Sequence, residues 1–303
     1  SELLMNNFCF TISALCFFLL FALPLQAQPP VVALSKNVAT KVIYAGTERK
    51  SYAIDLLRHV LSYDQQTDYN LAAFGKNLPT MRGFNLLGKS HGIDVTVAGA
   101  TMRREQLALA IRFPIMQGLY GWRVPLVHQD NKNILRNISN LEQFKQLRAL
   151  QFHTWSDSET LHLNNIKLVK GSDVEGLYLM LDSKRADYFP RSVLEVDNDL
   201  NRHQHLQIAK EQHTLIWYPK AVYFYVGKNQ LALAESIRQG LELALIDGSL
   251  EKLFMRYYGE TITKLKNEQR RVFKLLNPLL SPLTPLDRSE LWLDLSPSST
   301  ISP

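Results

Sequence analysis

Cysteine is nearly absent from this 303-residue chain, and both copies, Cys9 and Cys16, lie within residues 1–27. Without that segment the chain has no thiol, which excludes disulfides, thiol catalysis and cysteine-ligated metals. Residues 5–27 also lack any charge, and their apolar run, residues 8–23, is shorter than the roughly 20 residues that span a bilayer. We therefore expect residues 1–27 to be a cleaved secretory signal peptide and the protein to be periplasmic. A retained membrane anchor is the alternative.

Runs of one charge are absent as well. Glu2 is the single charged residue within 1–27, so the chain beyond it carries 34 basic and 27 acidic residues, a net charge of +7. The two signs are interspersed and form no basic block. Nucleic acid is therefore not an expected partner, and the charge gives a weak preference for anionic ligands or surfaces.

One motif with a known chemistry is present in the wrong context. Residues 83–90, "GFNLLGKS", match the phosphate-binding pattern G-x-x-x-x-G-K-[ST]. That chemistry needs a strand before the loop and a helix beginning at its end. Here a helical pattern and Pro79 precede the match, and His91-Gly92 follow it. We expect a helix capped by Gly88 instead.

Other catalytic and metal-binding patterns are missing. The sequence has no G-x-S-x-G and no H-E-x-x-H. His203, His205 and His213 have a spacing that fits no common metal site, which favours a solvated face. We expect no cofactor and no metal.

Strand and helix patterns alternate along the chain, which indicates an α/β fold. Two extended stretches, "GLYGWRVPLV" and "YPKAVYFYVG", bracket the middle third of the sequence. We interpret them as crossovers between two lobes, each a mostly parallel sheet flanked by helices, and clefts between domains are favoured small-molecule sites. The predicted divisions are lobe 1 at 28–124 plus 222–262, lobe 2 at 125–221, and a Pro-rich C-terminal extension on the surface at 263–303.

Six stretches distributed over most of the chain beyond residue 27 carry a family resemblance: "IDVTVAGATMRRE", "FPIMQGLYGWR", "WSDSETLHLNN", "VEGLYLMLDSKRADYFPRSVLE", "DGSLEKLFMRYYG" and "LLNPLLSPLTPLDRSELW". They resemble the periplasmic solute-binding proteins of ABC transporters, in the branch that binds polar amino acids. The likeness is closer still to an uncharacterised proteobacterial group of that superfamily. The resemblance implies the two-lobed type II periplasmic-binding fold.

The resemblance assigns a ligand clamp to the first lobe. In the amino-acid-binding branch, a Thr-x-x-Arg follows a strand like "IDVTVAG", and its Arg holds the ligand's carboxylate. The matching residues here are Thr101 and Arg104, and a guanidinium offers a carboxylate two parallel donors. The alternative is that Arg104, beside Arg103 and Glu105, is a solvated charge at a helix start.

The resemblance also assigns a helix start in the second lobe, where free N–H groups meet an anion. The matching stretch is 153–157, in which Thr154 keeps a hydroxyl, Trp155 would form an aromatic wall, and Asp157 would accept from a cation or cap the helix. A buried structural role is the alternative for Trp155. Tyr52, at the start of the first helix, is a further candidate wall.

Residues 183–196, "SKRADYFPRSVLEV", raise a separate question. Because Pro donates no ladder hydrogen bond, we expect the strand to end at Phe-Pro-Arg-Ser. The exit would line the cleft with Tyr188 or Phe189 and a donor from Arg191. The alternative is that Phe189 lies in the core and Arg191 on the surface.

In amino-acid binders, an Asp at this exit receives the ligand's ammonium. Counting from Asp187, the matching residue here is Ser192. The usual acceptor is therefore missing. Either Glu195 replaces it or the ligand is not an ordinary α-amino acid.

We therefore expect an exported, monomeric binding protein that closes around a small polar or anionic molecule, amino-acid-like or an organic acid, for ABC-type uptake through a membrane permease. One alternative is a sensing module that presents the ligand to a membrane signalling partner. Another is a dehydratase-like enzyme on the same fold, with Glu195 or Asp157 as general acid or base.

Overall fold

The computed structural model describes residues 39–297, which contain twelve strands and nine α-helices. The expected signal peptide lies outside the described residues. Within 39–297, no helix combines the length and the apolar character needed to cross a bilayer.

The chain builds one lobe, crosses to a second and returns. The first pass contains β1 (Thr40–Tyr44), α1 (Tyr52–Leu61), β2 (Tyr69–Ala73), α2 (Thr80–Leu86), β3 (Val95–Gly99), α3 (Met102–Leu107) and β4 (Leu109–Ile111). The second lobe contains β5 (Trp122–His128), α4 (Leu141–Lys145), β6 (Arg148–Phe152), α5 (Ser156–Leu163), β7 (Lys167–Gly171), α6 (Val174–Asp182), β8 (Phe189–Ser192), α7 (Val196–Arg202), β9 (Ile208–Lys210) and β10 (Thr214–Trp217). The return to the first lobe adds β11 (Val222–Val226), α8 (Leu231–Ile246) and α9 (Ser249–Asn267), and β12 (Arg271–Lys274) then joins the second lobe.

Each lobe has its own sheet. The first-lobe sheet has the order β2-β1-β3-β11-β4, in which β1 pairs in parallel with β2 and β3, and β11 runs antiparallel to its neighbours. The second-lobe sheet has the order β12-β10-β5-β8, with β9 also beside β5, and the parallel pair β6-β7 joins it through a bridge between Ala149 and Tyr188. Both sheets are mixed rather than mostly parallel. The reason is that β5, which enters the second lobe, and β11, which returns from it, run against their neighbours.

Helix α1 shows how sequence and packing position the cleft side of the first lobe. Ser51 caps it, its Oγ accepting from the Ile54 N–H at 3.4 Å. Leu57 and Val60 on its apolar face are fully buried, and burying each such side chain contributes roughly 1.5–3 kcal/mol. Gly240 on α8 permits close helix contact there, since a Cβ would lie 2.1 Å from the Val60 carbonyl oxygen.

The lobes are joined by residues 112–121 and 218–221, and these two crossovers touch. The Tyr218 N–H donates to the Gly121 carbonyl at 3.3 Å. A side chain at Gly121 would place its Cβ 2.0 Å from the Tyr218 carbonyl oxygen, so the contact requires glycine. Contact between the crossovers keeps the entry and exit of the second lobe together.

The expectation that the strand ends at Phe-Pro-Arg-Ser is wrong. Pro190 lies inside β8, directly opposite Pro125 of β5. The Pro125 carbonyl accepts from the Glu211 N–H at 3.0 Å, on the side of β5 away from β8. The two prolines therefore form a pair that makes no hydrogen bond between β5 and β8, and the missing N–H groups cost that ladder nothing. Phe189 is fully buried, as the alternative interpretation held.

The phosphate-loop match has the context that the sequence indicated. Helix α2 begins before it and ends inside it at Leu86, and β3 is the next element, so no helix begins at Lys89-Ser90. Gly88 has φ +67°, the left-handed conformation that ends a helix. Residues 83–90 therefore lack the strand-loop-helix geometry of a phosphate site.

The predicted surface extension at 263–303 begins differently in the structure. Helix α9 continues through Gly259 to Asn267, and β12 then adds a strand to the second-lobe sheet, parallel to β10. Beyond it runs a stretch of chain at residues 275–295, called here the C-terminal segment.

The C-terminal segment contacts both lobes and the second crossover. Asn164 of α5 exchanges two hydrogen bonds with Leu276, at 2.7 and 2.9 Å. Asn277 donates to the Pro219 carbonyl at 2.8 Å. Farther on, the Arg288 guanidinium makes a two-pronged ion pair with a Glu of α8 in the first lobe, at 2.7 and 2.9 Å. The segment thus spans the hinge region.

Candidate functional site

A cavity of about 1140 Å³ is lined by both lobes. The first lobe contributes the start of α1 and the stretch from β3 into α3, and the second contributes the start of α5 and the β8–α7 region. Lys220 of the second crossover and Asn277 and Leu279 of the C-terminal segment complete the wall. The volume suits a small molecule with room for water or for closure.

The structure brings most of the predicted site residues to this cavity. The lining includes Arg104, Thr101, Trp155, Thr154, Asp157, Tyr52, Arg191 and Glu195. Tyr188 and Ser192 are not part of it. Tyr188 is fully buried in the second-lobe core, with its ring centroid 5.2 Å from that of Phe144. Ser192 is also fully buried, and its Oγ accepts from the Leu194 N–H at 3.3 Å.

Arg104 is held at the start of α3 with most of its donors unused. Thr101 caps the helix, its Oγ1 accepting from the Arg104 N–H at 3.2 Å. This hydroxyl is therefore already engaged by the backbone of α3. The Arg104 Nη1 donates to the Gly99 carbonyl at 2.7 Å. Among the described residues, no carboxylate lies within 4.0 Å of this guanidinium. Partial burial lowers the pKa of Arg104, so an anion would compensate a charge that is already partly desolvated.

Trp155 forms a wall at the start of α5. It is half-buried, and its ring stacks on Phe189 with centroids 6.3 Å apart and planes 13° from parallel. The Arg191 guanidinium lies 5.3 Å from the Trp155 centroid, within cation–π range. Thr154 beside it is exposed. The indole is therefore fixed from behind while part of it remains open to the cavity.

Asp157 is the centre of a buried ion cluster. It is 7% exposed, and its two oxygens accept from Arg123 Nη2 and Lys220 Nζ, each at 2.6 Å. The Arg123 Nε donates to the Tyr218 hydroxyl at 3.0 Å. The cluster joins β5, α5 and the second crossover, and it carries one more positive than negative charge.

The cluster fixes the ionisation of its members. Burial alone would raise the pKa of Asp157, but the charges of Arg123 and Lys220 lower it to about 2. Burial and the charge of Arg123 lower the pKa of Lys220, while Asp157 opposes that shift. Asp157 is therefore ionised at neutral pH and holds no proton to donate.

Arg191 is committed to neighbouring carboxylates. Its Nε donates to Asp199 at 2.6 Å, and its Nη2 lies 3.2 Å from Glu195. Arg191 and Asp199 are both buried, whereas Glu195 is partly exposed at the cavity. Arg191 thus braces the wall under Trp155 and has fewer donors left for a ligand than the sequence suggested.

Tyr52 lies at the edge of the cavity within an aromatic group. Its ring makes edge contacts with Phe254, Tyr257 and Tyr258 at centroid distances of 5.4–5.8 Å. The side chain is 2% exposed, and its hydroxyl has no partner in the described part of the chain. Tyr52 supports the first-lobe wall, and Tyr258 beside it also lines the cavity.

Sequence reasoning missed Arg123, Lys220 and Tyr218. Each of the two cations is a lone charge inside an apolar, strand-like run, "GWRVPLV" and "YPKAVYF". An isolated charge in such a run must find a partner when the strand is buried. The sequence therefore indicated that each cation has a partner, but it did not identify that partner.

Of the three histidines predicted to form a solvated face, His205 is exposed and His213 half-buried, but His203 differs from the prediction. His203 is buried, and its ring stacks on Tyr178 with centroids 3.8 Å apart. Its Nδ1 hydrogen-bonds the Asp199 carbonyl and its Nε2 the Glu175 carboxylate, both at 2.7 Å. Across residues 39–297, no group of three or more His, Cys, Asp or Glu side chains is arranged to hold a metal ion.

Comparison with known proteins identifies the fold. The probable amino-acid ABC transporter extracellular-binding protein ytmK of Bacillus subtilis is 17% identical, with a TM-score of 0.53 over 73% of this chain and 99% of that one. An ancestral arginine-binding protein bound to arginine is 16% identical, with a TM-score of 0.47 over 72% and 98%. A structure from work on glutathione import via GshT and the cystine importer TcyBC of Streptococcus mutans is 17% identical, with a TM-score of 0.48 over 73% and 96%.

No protein-family model matches the chain, and no curated protein matches it either. The structural similarity to the B. subtilis extracellular-binding protein, together with the sheet topology, shows that the chain has the two-lobed type II periplasmic-binding fold, its lobes joined by two crossovers. At such low identity the comparison shows the fold alone, and function has to be argued from the site.

Proposed function

We propose that this protein is an exported solute-binding protein that captures a small polar or anionic molecule between its lobes and delivers it to an inner-membrane ABC permease. The observation that carries the proposal is one cavity lined by Arg104 from the first lobe and Trp155 from the second. Arg104 has unused donors for an anionic group, and Trp155 offers a fixed flat surface to the body of the ligand. From the sequence resemblance, we also propose that the chain is related to an uncharacterised proteobacterial group of the same superfamily.

An enzymatic role receives less support from the same geometry. Asp157, one of the two carboxylates considered as acid or base, is ionised and held by two cations. Glu195 is partly exposed and lies 3.2 Å from the Arg191 guanidinium, so it is already paired with a cation. Binding without turnover is therefore the favoured reading of the site.

Titration calorimetry and thermal shift with amino acids, organic acids and short peptides test the proposal. A ligand that binds should raise the melting temperature of the protein. Leu279→Trp should weaken ligand binding, because the larger side chain would occupy part of the cavity. Leu276→Trp is the matched control, because Leu276 is 74% exposed and outside the cavity lining. The absence of heat and of any thermal shift across the whole library would reject the proposed function.

A further inference from the structure

We infer that the cavity takes a small organic acid that carries no ammonium group, an inference that rests on the proposed solute-binding function. An α-amino acid needs a carboxylate to receive its ammonium. The described part of the cavity wall offers three candidates, Asp157, Glu159 and Glu195. Their surroundings differ, and these surroundings determine whether any of the three could receive a ligand ammonium.

Two of the three carboxylates already have cationic partners. Both oxygens of Asp157 are engaged at 2.6 Å, one by Arg123 and the other by Lys220. Glu195 lies 3.2 Å from Arg191. At Asp157 a ligand ammonium would have to displace a cation fixed by the fold. At Glu195, which is 45% exposed and paired through one oxygen, the Arg191 guanidinium already balances the charge.

The remaining acidic positions are no better placed. Glu159 is exposed on the first turn of α5, where water hydrates and screens its charge. Ser192, at the sequence position where an acceptor was expected, has no charge and is fully buried away from the cavity. The wall therefore lacks a desolvated, unpaired carboxylate among its described residues.

Positive charge, in contrast, is in excess. Among residues 39–297, six cationic side chains line the cavity against the three carboxylates: Arg49, Arg104, Arg123, Lys170, Arg191 and Lys220. An ideal Cβ on Gly99 would lie 3.4 Å from the Arg104 Nη1 and 3.9 Å from the Ala221 carbonyl oxygen, so this guanidinium lies beside the crossover that carries Lys220. Ligand anions are attracted to such a wall, and an ammonium is repelled by it.

Titration calorimetry on the full chain with matched probe pairs tests the inference. Succinate and L-aspartate share one carbon skeleton and two carboxylates, as do glutarate and L-glutamate, and each pair differs in the ammonium. We expect the acid of at least one pair to bind at least about tenfold more tightly than its amino counterpart, a difference of about 1.4 kcal/mol.

Variants locate the effect. Arg104→Gln should weaken the acid by at least about tenfold, while Arg103→Gln, an exposed neighbour on the same helix, should leave its affinity within about twofold. Glu159→Gln should leave the preference for the acid unchanged. Melting temperatures of all three variants establish that each is folded.

The outcomes separate the two proposals. Equal or tighter binding of the amino acid in every pair that binds overturns the inference and leaves the solute-binding function standing. Loss of amino-acid binding in Glu159→Gln would identify Glu159 as the ammonium acceptor and also overturn it. Failure of both pairs and of the wider library to bind would overturn the proposed function itself.

Discussion

Replacing Asp157 by Asn removes the carboxylate that Arg123 and Lys220 share inside the protein. Breaking a buried ion pair from one side costs about 3–5 kcal/mol, because the remaining charge stays buried without a partner. Asp157 is 7% exposed and both of its oxygens are engaged at 2.6 Å, so little solvent is present to compensate. We expect Asp157→Asn to lower the free energy of unfolding by an amount in that range at pH 7.

The pH dependence provides an independent magnitude. The pKa of Asp157 falls from 3.8 to about 2 on folding, chiefly because the charges of Arg123 and Lys220 outweigh the effect of burial. A depressed carboxyl pKa stabilises the fold above the unfolded value, and that stability is lost as the pH falls through the folded value. At about 1.4 kcal/mol for each pH unit, the contribution is roughly 2.5 kcal/mol and disappears between about pH 4 and pH 2.

Urea denaturation followed by tryptophan fluorescence measures both effects. The gap between wild type and Asp157→Asn should be largest at neutral pH and should narrow as the pH is lowered below 4, because the wild type alone loses this term. Glu142→Gln is the control, since Glu142 lies on the surface of the same lobe and its replacement should change stability by less than about 0.5 kcal/mol. A neutral-pH gap below about 1 kcal/mol, or a gap that does not narrow, would refute the reasoning.

Three further predictions concern packing and hydrogen bonding and are read from the same denaturation midpoints. Gly118→Ala should destabilise more than Gly248→Ala: both have positive φ, but a Cβ at Gly118 would lie 2.6 Å from an indole carbon, whereas nothing lies within 4 Å at Gly248. Equal losses would contradict this. Tyr188→Phe should leave the free energy of unfolding nearly unchanged, since its buried hydroxyl has no partner in the described chain. Tyr218→Phe should lower it by about 1–3 kcal/mol, because the Arg123 Nε–H would be left buried and unpaired. The reverse order would show that the Arg123–Tyr218 hydrogen bond is misassigned. Asn277→Ala should cost about 1–2 kcal/mol, since its amide bonds a carbonyl of the second crossover at 2.8 Å, and an unchanged midpoint would mean that this bond carries no stability.

Much of the architecture was predictable because it depends on local patterns. Alternating strand and helix patterns predicted the α/β fold, and α2 ends within two residues of Gly88, the expected cap. The placement of Arg104 and Trp155 was implied by the family resemblance, which matched Thr101–Arg104 and the stretch 153–157 to site positions. Both residues line one cavity in the structure.

What sequence reasoning missed depends on contacts between distant parts of the chain. Arg123 and Asp157 are 34 residues apart, and Asp157 and Lys220 are 63 apart, so no local pattern joins them. The continuation of β8 through Pro190 depends on the pairing register, which puts Pro190 at a position that makes no hydrogen bond to β5. Likewise, the position of β12 depends on its parallel pairing with β10, a strand distant in sequence.

The C-terminal segment has a mechanical consequence for a protein of this architecture. It is one continuous backbone, attached to α5 and the second crossover near residue 277 and to α8 through Arg288. Any rotation of one lobe about the crossovers changes the distance between these attachments. The ten residues between these attachments therefore act as a tether of limited length. The angle through which the cleft can open is limited by how far these residues can extend, in addition to the limit set by the crossovers.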